Sequence, residues 1–149
     1  MTHPLIGAWT LERFTAALED GAEISPYGPD PVGLLCYTAE GRVFAHLMAP
    51  DRPPLDCDAG LASAEQARAA LASHVSYAGT WSAAGATVSH RVAIASSPDL
   101  VGAVLTRDLR LEGDRLTLSA VTKTRFGGRR GAAVLEWRRA DAPTEGDPT

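Results

Sequence analysis

The sequence has few of the features that mark nucleic-acid-binding or membrane-spanning proteins. Lys123 is its only lysine, and 18 acidic residues outnumber 14 basic ones to give a formal net charge of -4 at pH 7. A mildly acidic chain does not attract phosphates, so we expect neither nucleic acid nor an anionic membrane surface as a partner. The longest strongly apolar run, Val32–Tyr37, is far shorter than the roughly 20 residues that a helix needs to cross a bilayer.

Cysteine is also scarce, and the first residues do not have the pattern expected of an export signal. Cys36 and Cys57 lack the Cys/His spacing of a zinc site, so we expect two free thiols and no metal. The first residues, up to Leu5 and Ile6, include no basic region and no long apolar stretch. This start predicts a cytoplasmic protein.

The motifs of several large enzyme classes are missing. The sequence contains no glycine-rich phosphate loop, no Gly-x-Gly-x-x-Gly, no Gly-x-Ser-x-Gly and no His-Glu-x-x-His. Nucleotide-dependent enzymes, α/β-hydrolases with that elbow and zinc proteases are therefore poor hypotheses, and we expect no cofactor.

The chain does have the size and composition of one folded domain. It has 149 residues, of which 45% are hydrophobic and 21% charged. We expect a single domain over residues 1–140. Pro, Gly, Asp and Glu replace apolar residues in 141–149, which predicts a disordered tail.

Short β-type runs alternate with turn residues about every dozen residues, which is typical of an antiparallel sandwich or barrel. A helix is predicted at about 64–74, because Ser63 and Gln66 have the spacing of a capping box. We expect an all-β, eight-stranded antiparallel barrel with this helix between the third and fourth strands. The proline-rich loop at 50–60 is expected to cover one barrel end. The predicted strands are 7–18, 32–37, 42–48, 75–82, 87–95, 101–111, 115–121 and 132–138.

The second and third predicted strands form a hairpin around Gly41, and pairing Tyr37 with Arg42 would divide their side chains into two faces. Two arrangements are open. Either the second face lines a cavity, or the aliphatic face fills the barrel while His46 and Arg42 face water. In the first arrangement the aliphatic face needs cover, and a homodimer through this sheet is expected. The aliphatic face holds Val32, Leu34, Cys36, Val43, Ala45 and Leu47, and the other face holds Leu35, Tyr37, Arg42, Phe44 and His46.

Two polar residues occur in apolar strand patterns further along the chain. His90 alternates with valine and isoleucine, and Arg107 lies between Leu105 and Leu109, so both are expected to point inward. Together they could bind an anionic or enolic oxygen. The alternative for each is a buried structural hydrogen bond. Tyr77 and Trp81 share a strand face and are expected to pack in the core or line a pocket.

Several segments resemble the bacterial and fungal lipocalin-like domain family, over nearly the whole chain. This resemblance implies a lipocalin-like barrel whose base is plugged by Trp9 near Arg138 or Arg139. Members of the family look like small-ligand binders, and some lipocalin-like proteins in secondary-metabolite pathways act as cofactor-free cyclases or isomerases. The segments are Leu5-Ile6-Gly7-Ala8-Trp9, residues 28–38, residues 47–54, Tyr77-Ala78-Gly79-Thr80-Trp81, Val88-Ser89-His90 and residues 113–118.

Two functions are therefore considered. The first is binding of one small, largely apolar molecule, polyketide-like or aromatic, in bacterial secondary metabolism. The second is a cofactor-free isomerase or cyclase. In it His46 or His90 removes a proton while Arg107 or Tyr37 stabilises the enolate, or the barrel only folds the substrate. The candidate catalytic residues are His46, His90 and Arg107, and the candidate ligand-binding residues are Leu35, Tyr37, Phe44, Tyr77, Trp81 and Leu105.

Overall fold

The computed structural model describes residues 2–141, which form a closed antiparallel barrel with a short helix outside it. The barrel strands follow the apolar runs of the sequence, and turns at Gly41, Gly85 and Gly113 connect neighbouring strands. The strands are β1 (Gly7–Leu18), β2 (Glu23–Ile24), β3 (Val32–Tyr37), β4 (Arg42–Met48), β5 (His74–Ala84), β6 (Thr87–Ala95), β7 (Val104–Glu112), β8 (Arg115–Ala120), β9 (Thr124–Phe126) and β10 (Arg129–Arg139).

Eight of these strands close the barrel in the order β1-β3-β4-β5-β6-β7-β8-β10, and β10 pairs with β1 to complete it. The two short strands, β2 and β9, pair with β1 and β10 at one end. Helix α1 (Ala64–Ala72) lies between β4 and β5, which are the third and fourth strands of the barrel. The predicted all-β, eight-stranded architecture with one helix in that position is confirmed.

The predicted capping box begins helix α1. The Ser63 hydroxyl accepts a hydrogen bond from the backbone N–H of Gln66, and the Gln66 side chain accepts one from the N–H of Ser63. At the other end, Arg52 donates to the Ser73 hydroxyl at 2.9 Å and to the Ala70 carbonyl at 2.8 Å. The loop before the helix is thereby fixed against the last turn of α1.

Trp9 closes the end of the barrel where β1 begins and β10 ends. Its side chain is fully buried, and its indole N–H donates to the Leu5 carbonyl at 3.0 Å. The Arg139 guanidinium lies 4.2 Å from the centre of the indole ring and donates to the carbonyls of Ile6 and Pro4. Of the two arginines implied by the resemblance, Arg139 therefore covers Trp9, whereas Arg138 binds Glu12 outside. We call this end the base.

The hairpin between β3 and β4 forms as predicted, but its register differs by one residue. Thr38 N–H donates to the Arg42 carbonyl, so these two residues close the loop and Tyr37 pairs with Val43, not Arg42. Because strand side chains alternate, a shift of one residue moves β4 to the opposite face relative to β3. Leu35 and Tyr37 consequently share the interior with Val43, Ala45 and Leu47.

Two further sequence predictions concern the ends of the chain and membrane helices. Residues 142–149 of the predicted disordered tail lie outside the described part of the chain. Within residues 2–141, no helix has the length and apolar character needed to span a bilayer.

Gly79 marks a close approach between two barrel strands and provides a test of the fold. It lies at an irregularity in the pairing of β5 with β6, where a Cβ atom would overlap the Arg91 carbonyl oxygen and lie 3.0 Å from the Ala93 nitrogen. We expect Gly79→Ala to lower the free energy of unfolding by at least about 2 kcal/mol in urea titration, because backbone atoms must shift.

The control is Gly60→Ala in the 3-10 helix Ala59–Leu61, where nothing lies within 4 Å of the added Cβ. This change should stay within about 0.5 kcal/mol of the native protein. Equal effects of the two substitutions would contradict the close approach at Gly79.

Candidate functional site

A cavity of about 640 Å³ occupies the barrel interior on the side away from Trp9. This volume is in the range of about 300–1,000 Å³ that is typical of ligand pockets. Alternation along the strands points apolar side chains into it from most of the barrel wall. The walls include Phe14, Leu35, Leu47, Leu105, Leu118 and Leu135.

The end of the cavity opposite the base, which we call the mouth, is lined by segments that connect the strands. They are the segment after β1 with Ile24 of β2 and Tyr27, the end of α1 with Ala72, a 3-10 helix with Leu100, and the β9 hairpin with Phe126. The loop at 50–60, expected to cover a barrel end, contributes no residue to this cavity and packs beside α1. The covering role expected for this loop stays a prediction. Arg52 fixes the loop to helix α1, whose Ala72 lines the mouth.

His90 is the centre of a buried hydrogen-bonded group. The side chain is 1% exposed and points inward from β6, as the alternation predicted. Its Nε2 lies 2.7 Å from the Tyr37 hydroxyl and its Nδ1 lies 2.6 Å from the Tyr77 hydroxyl. We call Tyr37, His90 and Tyr77 the relay. It runs from Tyr37 near the base to Tyr77, which lines the cavity.

Burial keeps all three members of the relay uncharged near neutral pH. Desolvation lowers the pKa of His90 from 6.5 to about 3, and the nearby Arg107 charge acts in the same direction. Desolvation also raises the pKa of Tyr77 to about 12, against an opposing effect of Arg107. The pKa of Tyr37 is raised further, mainly by burial and then by Tyr77.

Because the relay is neutral, the direction of its hydrogen bonds can be deduced. Two phenols and one imidazole carry three hydrogens on their polar atoms, but the relay contains only two contacts. Tyr37 is 1% exposed and has no other hydrogen-bond partner among residues 2–141, so its O–H donates to Nε2. The Nδ1–H of His90 then donates to the Tyr77 oxygen. The Tyr77 O–H is left free to donate into the cavity.

Two more hydrogen-bond donors belong to residues that line the cavity. Arg107 is partly buried and donates to the Thr106 carbonyl at 3.3 Å, and it forms no ion pair within the described residues. Trp137 is 2% exposed, and its indole N–H has no partner in the same part of the chain. An unpaired buried donor costs about 1–3 kcal/mol. Arg107 therefore brings to the cavity a positive charge without an ion-pair partner among residues 2–141, whereas the Trp137 indole N–H is enclosed by protein.

His46 and Phe44 do not reach the cavity. Both lie on the outer face of β4, where Phe44 is 51% exposed and the His46 ring lies 4.7 Å from that of His74. They border a shallow apolar groove on the outside together with Leu34 and Ile94. The interior placement considered for them was wrong, because the register of the hairpin puts Val43, Ala45 and Leu47 inside. The arrangement of strand faces from which the homodimer was expected therefore does not occur. The homodimer itself stays a prediction.

Most of the other candidate residues lie where the sequence indicated. Leu35, Tyr77, His90, Leu105 and Arg107 all line the cavity. Tyr37 lies behind His90. Trp81 packs edge-on against Tyr37 at 5.1 Å and donates to the Thr38 carbonyl, so it supports the relay from the base and does not line the cavity.

Sequence reasoning missed Trp137 as a cavity residue. It alternates with Ala133 and Leu135 in the last predicted strand, and all three line the cavity. That alternation was a usable signal. In the part of the chain that is described, no group of three or more His, Cys, Asp or Glu side chains is placed to hold a metal ion.

The relay makes a direct prediction about His90. We expect nitrogen-15 NMR to show a neutral imidazole protonated on Nδ1, with no titration near pH 6.5, because burial lowers the pKa. The unfolded chain gains the His90 proton near pH 6.5 while the folded chain does not. Stability should therefore fall as pH drops below about 6.5 towards 3, and His90→Gln should show less of this decline. A histidine that is protonated on Nε2, or titrates near 6.5, would contradict the proposed hydrogen-bond directions.

Comparison with known proteins gives one family. A model of the lipocalin-like domain matches residues 6–140. A crystal structure of a lipocalin-like protein from Bacteroides uniformis has a TM-score of 0.46 and 15% identity, over 91% of this chain and 98% of that one. None of the curated proteins matches the chain. Because the family model matches most of the sequence, the protein belongs to the lipocalin-like domain family.

Proposed function

We propose that the barrel binds one small, largely apolar molecule, aromatic or polyketide-like, in its interior. The observation that carries this proposal is the cavity of about 640 Å³, whose walls are mainly aliphatic and aromatic side chains. Such a space is large enough for a small organic ligand and is the usual kind of site for one. Its burial of apolar ligand surface would supply most of the affinity.

The few polar groups in the cavity support binding in a defined orientation. Tyr77 and Arg107 provide donors among otherwise apolar walls. A small number of placed polar groups within an apolar pocket is the usual way in which a site orients its ligand. The mouth offers two aromatic side chains, Tyr27 and Phe126, and each packs edge-on with Phe14.

The alternative of catalysis by a histidine base has less support. His46 lies outside the barrel, and both ring nitrogens of His90 are engaged by tyrosines. A general base needs a free lone pair within reach of the substrate, and an imidazole with a pKa of about 3 is a weak base. We therefore propose binding as the function. The role in secondary metabolism and the cytoplasmic location stay predictions.

A cavity-blocking substitution tests this proposal. Ala133 points into the cavity from β10, and its neighbour Ala132 lies on the other face of the same strand. We expect the native protein to bind the uncharged fluorophore N-phenylnaphthylamine at a single saturable site. Ala133→Phe should weaken this binding at least about tenfold, because the added ring occupies ligand space.

The matched control, Ala132→Phe, should bind like the native protein. Fluorescence titration measures all three affinities, and circular dichroism checks that each variant is folded. Absence of saturable binding to the native protein, or equal affinities of the two variants, would contradict a ligand site inside the barrel.

A further inference from the structure

The charge distribution around the cavity differs from that of the whole chain. The chain has a net charge of -4, but the charged residues that line the cavity are Arg107 and Arg125. No aspartate or glutamate in the described part of the chain lines it. A partly buried guanidinium without a carboxylate partner is free to pair with an anionic group in the cavity. The cavity is therefore positively charged inside an acidic protein.

The relay adds a directed donor to this charge. Since Tyr37 must donate to His90, and His90 then donates to Tyr77, the Tyr77 O–H has no acceptor among residues 2–141. It belongs to a cavity-lining side chain, so the ligand or water in the cavity must accept from it. The His90 N–H also polarises the Tyr77 hydroxyl and makes it a better donor.

We propose that the molecule bound in the barrel carries an anionic oxygen, as a carboxylate or an enolate, which accepts from the Tyr77 O–H and pairs with the Arg107 guanidinium. This inference rests on the proposed function and names the chemical class of its ligand. Donors without acceptors select such an oxygen and disfavour an amine or ammonium group, which would bring further donors.

The His90 imidazole acts on this site as a positioning group. It lines the cavity, but both its nitrogens are engaged by tyrosines, so neither is available to bind the ligand. The His90 N–H donates to the Tyr77 oxygen from one side. The Tyr77 hydrogen must then point away from His90, towards the cavity. The polar end of the ligand would lie beside Tyr77 and Arg107, with its apolar body among the leucines of the walls.

The test compares ligands that differ only in their polar group. Anthracenecarboxylate and the uncharged anthracenecarboxamide are used to displace N-phenylnaphthylamine from the native protein. We expect the carboxylate to bind at least about tenfold more tightly than the amide, since hydrogen bonds to a charged group are the stronger ones. Anthracenemethylamine, which is a cation, should bind more weakly than the amide.

Two variants assign the preference to the named residues. Arg107→Met and Tyr77→Phe keep most of the side-chain volume, and each should reduce the ratio of carboxylate to amide affinity by about fivefold or more. The control is Arg110→Met on the outer face of β7, where the arginine is exposed and paired with Glu112. It should leave the ratio unchanged.

The outcomes separate this inference from the proposed function. Displacement of the fluorophore by carboxylate and amide with equal affinity would overturn the anionic ligand and leave the apolar site standing. Failure of the fluorophore to bind the native protein would overturn both. An unchanged ratio in both cavity variants would overturn the assignment to Tyr77 and Arg107. The comparison in the native protein decides on the ligand class even if a variant does not fold.

Discussion

The buried imidazole of His90 is the constraint on which the candidate site depends. An imidazole in an apolar interior needs a hydrogen-bond partner for each ring nitrogen, because an unpaired polar group there costs about 1–3 kcal/mol. Tyr37 on β3 and Tyr77 on β5 supply these partners from two other strands of the barrel. The group therefore ties together three strands, β3, β5 and β6, and it places a hydroxyl at the edge of the cavity with its hydrogen uncommitted.

The closure of the barrel makes this arrangement possible. Trp9 and Arg139 seal the base, and Trp81 packs against Tyr37 from that side. The relay is thus protected from water at one end and reaches the cavity at the other. Burial then holds His90 neutral, which lowers its capacity as a base but preserves the hydrogen-bond directions. In this site His90 fixes the directions of the hydrogen bonds, and Arg107 supplies the positive charge.

Strand positions, the hairpin at Gly41, the capped helix and the inward direction of His90 and Arg107 could all be predicted from the sequence. They follow from local signals, namely alternation and turn residues. The faces of β4 could not be predicted in the same way. They depend on whether Arg42 pairs with Thr38 or with Tyr37, and a difference of one residue in loop closure moves His46 and Phe44 outside.

The contact between His90 and its two tyrosines was beyond sequence reasoning for a different reason. Tyr37 and His90 lie 53 residues apart in the chain, and only the order of strands around the barrel brings them together. The alternation that identified His90 left a structural hydrogen bond and a ligand contact equally open. The structure shows the hydrogen bonds, and these determine which donor faces the cavity.

A crystal structure of the protein with bound anthracenecarboxylate tests this account most directly. The account predicts a carboxylate oxygen inside the barrel within about 2.6–3.2 Å of the Tyr77 hydroxyl, with the Arg107 guanidinium paired to the same carboxylate. A carboxylate that turns away to Arg125 or to solvent, or a molecule bound in the outer groove beside Phe44, would contradict it.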